Sequence, residues 1–151
     1  GVAMGHLFLK SPIRWIMGKI ISKIALAFAI FGCLGSGVAR AGNISLDVTA
    51  SNISGVASKD PYSRKEAKGD NDQKFYIKLT SLTNGPSLNF TSYSSDHVRV
   101  STALTYPGHP LGTTKSHNYD LVEAKRGHQY YVYASAPMNY ANVHGKGNYC
   151  P

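Results

Sequence analysis

The residues best able to do chemistry stand together in one tetrapeptide, Ser94-Ser95-Asp96-His97. A hydroxyl, a carboxylate and an imidazole are the parts of a serine hydrolase triad. Adjacent residues of an extended chain point to opposite sides, however, and working triads are assembled from separate segments. The spacing therefore favours a polar turn in which Asp96 accepts backbone N–H groups. We predict that the protein is not an enzyme, and we keep a small secreted hydrolase as the third hypothesis for its function.

The spacing of the carboxylates and histidines does not predict a metal site. Gly69-Asp70-Asn71-Asp72 begins like a calcium loop, but Lys74 occupies the fifth ligand position and the required Gly and Glu do not follow. The five histidines after residue 41 form neither a His-x-His pair nor the i, i+4 pair of a helical zinc site. We predict no metal and no cofactor.

Tyrosine is the one compositional excess, since all ten tyrosines follow residue 41. The strand pattern of residues 130–134 predicts an inward set, Tyr130, Val132 and Ala134, and an outward pair, Tyr131 and Tyr133. Outward tyrosines offer rigid contact area at low entropic cost, which binding surfaces use. The alternative is that tyrosine is abundant because it has a high strand propensity.

Basic residues precede this tyrosine pair in the sequence, within the turn that leads into the strand. Basic and aromatic side chains on one surface would suit an anionic cell-wall polymer or a protein partner. The predicted binding residues are Tyr131, Tyr133, Lys125, Arg126, His128 and Tyr76.

The elements that must position these residues are strands, because apolar and polar side chains alternate through most of the chain after residue 42. The pattern predicts seven strands, at residues 43–50, 74–82, 88–93, 98–104, 119–123, 129–136 and 140–149. The Asn84-Gly85 turn predicts a hairpin between the second and third strands, and Lys125-Arg126-Gly127 predicts one between the fifth and sixth. The fold class is therefore all-β, a single antiparallel β-sandwich after an N-terminal signal helix.

Residues 51–73 do not fit the strand pattern. This segment is rich in Ser, Lys, Asp and Gly and has too few apolar side chains to bury, which is typical of a mobile polar loop. We therefore predict that residues 42–73 form the first strand and this loop, and that residues 74–151 form the sandwich core. Cys150, next to the last residue, is expected to be exposed or loosely packed.

The first 41 residues have the pattern of an export signal. Residues 17–41 combine a basic start, a short apolar stretch and an Ala-x-Ala cleavage site at Ala39 and Ala41, and residues 1–16 are interpreted as an upstream extension. We expect a secreted protein that touches the membrane only through the uncleaved signal peptide. The alternatives are an uncleaved anchor and a lipid attached to Cys33, which follows Gly32 as in a bacterial lipobox.

The distribution of charge weakens the case for a nucleic-acid partner. The chain has 16 basic and 8 acidic residues, but five of the basic residues and none of the acidic ones lie in residues 1–41. The remaining 110 residues therefore carry a net charge of only +3, and they are too few for a dinucleotide-binding fold with a second domain.

Three short motifs resemble a family of small secreted Gram-positive proteins of unknown function. They are Asp70-Asn71-Asp72 before the Phe75-x-Ile77 strand, Gly127-x-x-Tyr130-Tyr131 with a following Ala134, and Asn142-Val143-x-Gly145 leading to a terminal aromatic residue and Pro151. The resemblance covers residues 70–151 and departs from the family pattern near the end, where Tyr149 stands in place of tryptophan. It implies a signal peptide and a β-rich mature domain, and no activity.

Two function classes other than the hydrolase follow from these observations. The first is a non-enzymatic β-sandwich that binds at the cell envelope or to another protein. The second is a bacteriocin-like antimicrobial protein or its accessory factor, which small size and export also fit. A net charge of +3 without an amphipathic helix argues against direct membrane disruption.

Overall fold

A computed structural model describes residues 43–151 and shows an all-β chain. The predicted signal peptide, its cleavage site at Ala39 and Ala41, the lipid site at Cys33 and the upstream extension all lie outside these residues. The described chain has eight strands rather than seven: β1 (Ile44–Ala50), β2 (Glu66–Ala67), β3 (Lys74–Thr83), β4 (Ser87–Ser94), β5 (Arg99–Pro107), β6 (Lys115–Asn118), β7 (Gln129–Ser135) and β8 (Val143–Cys150).

The strands form two antiparallel sheets of four strands each, which confirms the predicted β-sandwich. The first sheet has the order β1-β8-β3-β6 and the second has the order β2-β7-β4-β5. One hydrophobic core takes buried side chains from both sheets, among them Phe75, Ile77 and Leu79 of β3 and Phe90 of β4. The alternation that predicted the inward face of β3 therefore holds.

Both predicted hairpins are wrong, because each turn carries the chain from one sheet to the other. The Asn84-Gly85 turn follows β3 of the first sheet, whereas β4 pairs with β5 and β7 of the second. The predicted strand at residues 119–123 is also absent, and the preceding strand, β6, again belongs to the first sheet. Residues that favour a turn indicate only that the chain reverses its direction. Such a reversal can join two strands of one sheet as a hairpin or connect two facing sheets. A side chain at Gly85 would meet the Val143 methyl groups at 2.7 and 2.9 Å, so close packing also requires this glycine.

The polar segment of residues 51–73 lies along the free edge of β7. Ser63 N–H donates to the Val132 carbonyl at 2.9 Å, and Ala134 N–H donates to the Pro61 carbonyl at 2.7 Å. Further along, the segment forms the short strand β2, and no helical turn is present between residues 63 and 68. The segment was predicted to have too few apolar side chains to bury, and the side chain that it does bury is charged: Lys68 is 1% exposed.

Lys68 is buried with its charge paired. Its Nζ lies 2.9 Å from Asp70 Oδ1, donates to the Lys74 carbonyl at 3.3 Å and stands 5.2 Å from the centre of the Tyr119 ring. Its backbone N–H donates to the His128 carbonyl at 2.9 Å, next to the start of β7. A charged residue thus anchors the polar segment to the sandwich.

The prediction of an exposed Cys150 is also wrong. β8 continues through this residue, which pairs with Tyr76 of β3, and its side chain is fully buried.

Candidate functional site

β7 presents two different faces, as alternation predicts. Tyr130, Val132 and Ala134 belong to the core shared with the first sheet. Tyr131 and Tyr133 lie on the outer face of the second sheet, where Tyr131 pairs with Tyr93 of β4. Tyr131 is only 5% exposed, however, so its predicted exposure is wrong. The cause is a layer of side chains that covers this outer face.

Tyr62 supplies the first part of that layer. Residues 61–63 run beside β7, and Tyr62 is bridged to Tyr133, so both side chains lie on the outer face. The Tyr62 ring centre lies 5.9 Å from that of Tyr131, edge-on, and 5.2 Å from that of Tyr133. Tyr62 itself is 54% exposed, so it forms the solvent-facing side of the aromatic cluster.

The hairpin between β4 and β5 supplies the other part. Tyr93, near the end of β4, stacks on Tyr131 with ring centres 5.6 Å apart and an angle of 16° between the planes. His97 in the turn has a φ of 64°, and its Nδ1 lies 2.8 Å from the Tyr131 hydroxyl oxygen. Ser95 N–H ties the same turn to the Gln129 carbonyl at 2.9 Å. The tetrapeptide that resembled a triad is therefore a turn, and its imidazole contacts a phenol.

Lys65 brings a positive charge to the same surface. Its Nζ donates to the Ser95 carbonyl at 3.0 Å and stands 5.9 Å from the centre of the Tyr131 ring. The lysine is exposed, so the ammonium group can meet a ligand. An ammonium ion near an aromatic face is attracted by the ring quadrupole.

These side chains enclose two adjoining depressions of about 340 and 280 Å³. Both are lined by Tyr62, His97 and Tyr131; the first adds Ser63 and Lys65, and the second adds Tyr93 and Tyr133. We call the two depressions together the tyrosine groove. Its described lining residues contribute aromatic rings, hydroxyl groups, an imidazole and one ammonium group, and none of them has a carboxylate.

Burial raises the pKa of the central phenol of the groove further above neutrality. Desolvation raises the pKa of Tyr131, and the neighbouring hydroxyls of Tyr62 and Tyr93 raise it further. The Tyr131 hydroxyl thus keeps its proton even in alkaline solution and can act as a hydrogen-bond donor.

The structure separates the predicted basic residues from the tyrosine pair. Lys125, Arg126 and His128 are exposed, but Lys125 and His128 line another cleft, of about 200 Å³, together with the inward-facing Tyr130. Lys125 N–H donates to the Tyr130 hydroxyl at 2.8 Å. The basic side chain that does approach Tyr131 is Lys65, from a different part of the chain.

Tyr76, the remaining predicted binding residue, belongs to the first sheet. It is half-buried, and its hydroxyl donates to Asp72 at 2.5 Å. The predicted patch is thus divided over three places, of which only the Tyr131 and Tyr133 region is a groove rich in aromatic side chains.

A second group of side chains has the composition of a catalytic triad without its geometry. The hydroxyl group of Thr102 on β5 donates a hydrogen bond to the Asp120 carboxylate. His117 Nε2 lies 2.8 Å from Thr102 Oγ1 and 3.6 Å from Asp120 Oδ2. A triad base uses its two ring nitrogens separately, one for the nucleophile and one for the carboxylate. Here both partners share one nitrogen, so the arrangement links β5 to β6 instead of activating a nucleophile.

Residues 43–151 contain no group of three or more His, Cys, Asp or Glu side chains placed to hold a metal ion. This part of the chain also has no helix long and apolar enough to cross a membrane.

Five residues that line the groove were not among the predicted binding residues: Tyr62, Ser63, Lys65, Tyr93 and His97. One signal was available, since Tyr62 is the only aromatic residue in the polar segment 51–73. A single aromatic side chain in an otherwise charged loop indicates that the loop packs against the folded domain at that residue. Lys65 and His97 carry no comparable signal, because their approach depends on how the loop and the hairpin fold.

Comparisons of the chain with protein-family models, with curated proteins and with solved structures found no match.

Proposed function

We propose that the protein is a non-enzymatic binding domain that acts at the cell envelope through the tyrosine groove. The observation that carries the proposal is the half-exposed ring of Tyr62 above the stacked rings of Tyr131 and Tyr93. Binding sites are typically concave and lined by aromatic side chains with a few polar groups that fix orientation.

The packing of the groove supports a binding role because its rings are already held in place. Tyr131 is fixed by stacking on Tyr93 and by the contact of its hydroxyl with His97. A ligand that enters therefore pays little conformational entropy for ordering these side chains. The predicted export signal, the small domain and the cationic Lys65 support a location at an envelope rich in anionic polymers.

The test is binding of purified protein to isolated cell walls of the producing organism, measured by sedimentation. Tyr62→Ala should weaken binding about 30-fold, because a central aromatic residue contributes about 2 kcal/mol or more to an interface. Tyr140→Ala is the matched control, since Tyr140 is 40% exposed and does not line the groove. Circular dichroism verifies that both variants fold, which is expected because both side chains are largely exposed.

The proposal fails if the unaltered protein does not bind the walls. It also fails if Tyr62→Ala binds as tightly as Tyr140→Ala. Tyr131 is unsuitable for this test, because removal of a buried ring would disturb the sheet itself.

A further inference from the structure

We infer that the ligand of the tyrosine groove is a polysaccharide built of pyranose rings that carry anionic groups. This inference rests on the proposed function and adds the chemical class of the ligand. Three features of the groove lead to it: the type of its apolar surface, its division into two depressions, and the sign of its charge.

The apolar surface of the groove is aromatic. Neither depression has Leu, Ile, Val or Met in its described lining, which consists of tyrosines, His97, Ser63 and Lys65. A site for aliphatic peptide side chains or lipid would offer aliphatic walls. A pyranose ring instead presents a face of C–H groups, made electropositive by the ring oxygens, and this face is attracted to the electron-rich face of tyrosine.

The polar groups of the groove suit the edges of a sugar ring. Each tyrosine has a hydroxyl that can both donate and accept. His97 Nδ1 contacts the Tyr131 hydroxyl, which leaves its other ring nitrogen for a ligand. The Ser63 hydroxyl donates to the Arg64 carbonyl and accepts from Val132 N–H, so it can offer a ligand only a remaining lone pair. A sugar exposes several hydroxyls around its ring, and these can pair with such a rim while the ring face stays on the aromatic surface. The combination of flat rings with a hydroxyl rim thus fits a carbohydrate on both counts.

The two depressions adjoin, because Tyr62, His97 and Tyr131 line both of them. A ligand with a repeating unit fills both with the same chemistry, whereas a single sugar fills one. The geometry therefore favours a polymer.

The charge of the groove selects for an anionic ligand. Among the described residues that line it, Lys65 is the one side chain with a permanent charge, and the Ser95 carbonyl accepts one hydrogen bond from its Nζ. An ammonium group has three donors, so two remain for a carboxylate or phosphate on the ligand. A neighbouring depression that shares Tyr62 and Ser63 with the groove is lined by Asp47, Asp60 and Arg64. Glu66 and Asp96 are next to groove residues in the sequence, but neither lines the groove.

The experiment measures how well soluble probes compete with cell walls for the full-length protein. The probes are oligogalacturonate and hyaluronan oligosaccharides (anionic pyranose chains), cellohexaose (a neutral pyranose chain), poly-L-glutamate (an anionic chain without rings) and a proline-rich peptide. The same probes are titrated directly into the protein while the tyrosine ring signals are followed by NMR. This second measurement does not depend on wall binding.

At least one anionic oligosaccharide should bind about tenfold more tightly than cellohexaose, and poly-L-glutamate should bind more weakly than either. Lys65→Gln should remove the advantage of the anionic chain without changing the affinity for cellohexaose. Lys59→Gln, at an exposed site outside the groove, should change nothing. Added salt should weaken the binding of the anionic oligosaccharides and leave the binding of cellohexaose unchanged, because salt screens exposed charges.

The inference is overturned if the proline-rich peptide is the best ligand, if poly-L-glutamate equals the sugars, or if no oligosaccharide shifts the tyrosine signals. In each of these cases wall binding that depends on Tyr62 would leave the proposed function standing. Oligosaccharide binding without wall binding would have the opposite meaning, since it would support the ligand class and refute the location.

Discussion

Replacement of Asp70 by asparagine should destabilise the protein more than replacement of Lys68 by methionine, although the two residues form one ion pair. The side chain of Lys68 has no exposed surface, whereas that of Asp70 is 22% exposed. Removal of the lysine charge leaves a carboxylate that still reaches water. Removal of the aspartate charge leaves an ammonium group inside the protein without a counter-ion.

The expected magnitudes follow from the contacts. Lys68→Met keeps most of the buried stem but loses the bond to the Lys74 carbonyl and the contact with the Tyr119 ring, each worth about 1 kcal/mol. The expected loss is therefore about 2 kcal/mol. Removal of the counter-ion of a buried charge costs about 3–5 kcal/mol. The side-chain oxygen of asparagine can still accept a hydrogen bond from Lys68, so we expect Asp70→Asn to lower the free energy of unfolding by about 3 kcal/mol.

Urea unfolding followed by tyrosine fluorescence and circular dichroism measures both losses, which correspond to about 8 and 12 °C in Tm. Lys59→Met is the control at an exposed lysine of the same segment. The double variant Lys68→Met, Asp70→Asn should be about as stable as Lys68→Met alone, because no buried charge is then left unpaired. A larger loss for Lys68→Met than for Asp70→Asn, or losses that simply add in the double variant, would refute this reasoning.

Two other predictions concern the strands. Gly147→Ala should destabilise the fold severely in thermal unfolding, because its Cβ would collide with the Lys78 backbone; Gly145→Ala should cost less, since its Cβ would collide with a flexible leucine end. The hydrogen bond from Thr102 lowers the pKa of Asp120, so its stabilisation should be present at neutral pH and lost as the pH falls through the folded pKa. The stability difference between the unaltered protein and Thr102→Val should therefore shrink as the pH falls below about 4, the pKa of an unperturbed aspartate, in a series of urea titrations, and a difference independent of pH would contradict this assignment.

The parts of the fold that the sequence predicts well are those governed by the two-residue period of a strand. Phe75, Ile77 and Leu79 are buried together, and Tyr130 and Val132 are turned to the core, because alternate residues of a strand must share a face. Which sheet a strand joins depends on contacts distant in sequence. For this reason the turn after β3 was predicted as a hairpin although it crosses between sheets.

The site was harder to predict because the strand face on which a side chain lies does not determine how exposed that side chain is to solvent. The outward direction of Tyr131 follows from alternation, but its burial follows from Tyr62 and His97, which belong to other segments. Tyr62 in turn is positioned by a segment whose anchor, Lys68, is charged. Hydrophobic patterns do not reveal such an anchor, because the free energy of this contact comes from an ion pair and backbone hydrogen bonds.

The pairing of β1 with β8 determines when the protein can fold during its synthesis. β8 lies between β1 and β3, and its register with β1 extends from Ile44 opposite Tyr149 to Ala50 opposite Val143. A nascent chain that has emerged only as far as β7 has all four strands of the second sheet, but β1 has no neighbour in the first. The apolar side chains of β1 and β3 then stay uncovered, and the ribosome must release β8 before they can be enclosed. Enclosure of the core thus waits for β8 and is dominated by contacts between distant residues, which makes folding slow. A chain truncated before β8 is left with an open core that chaperones and proteases recognise.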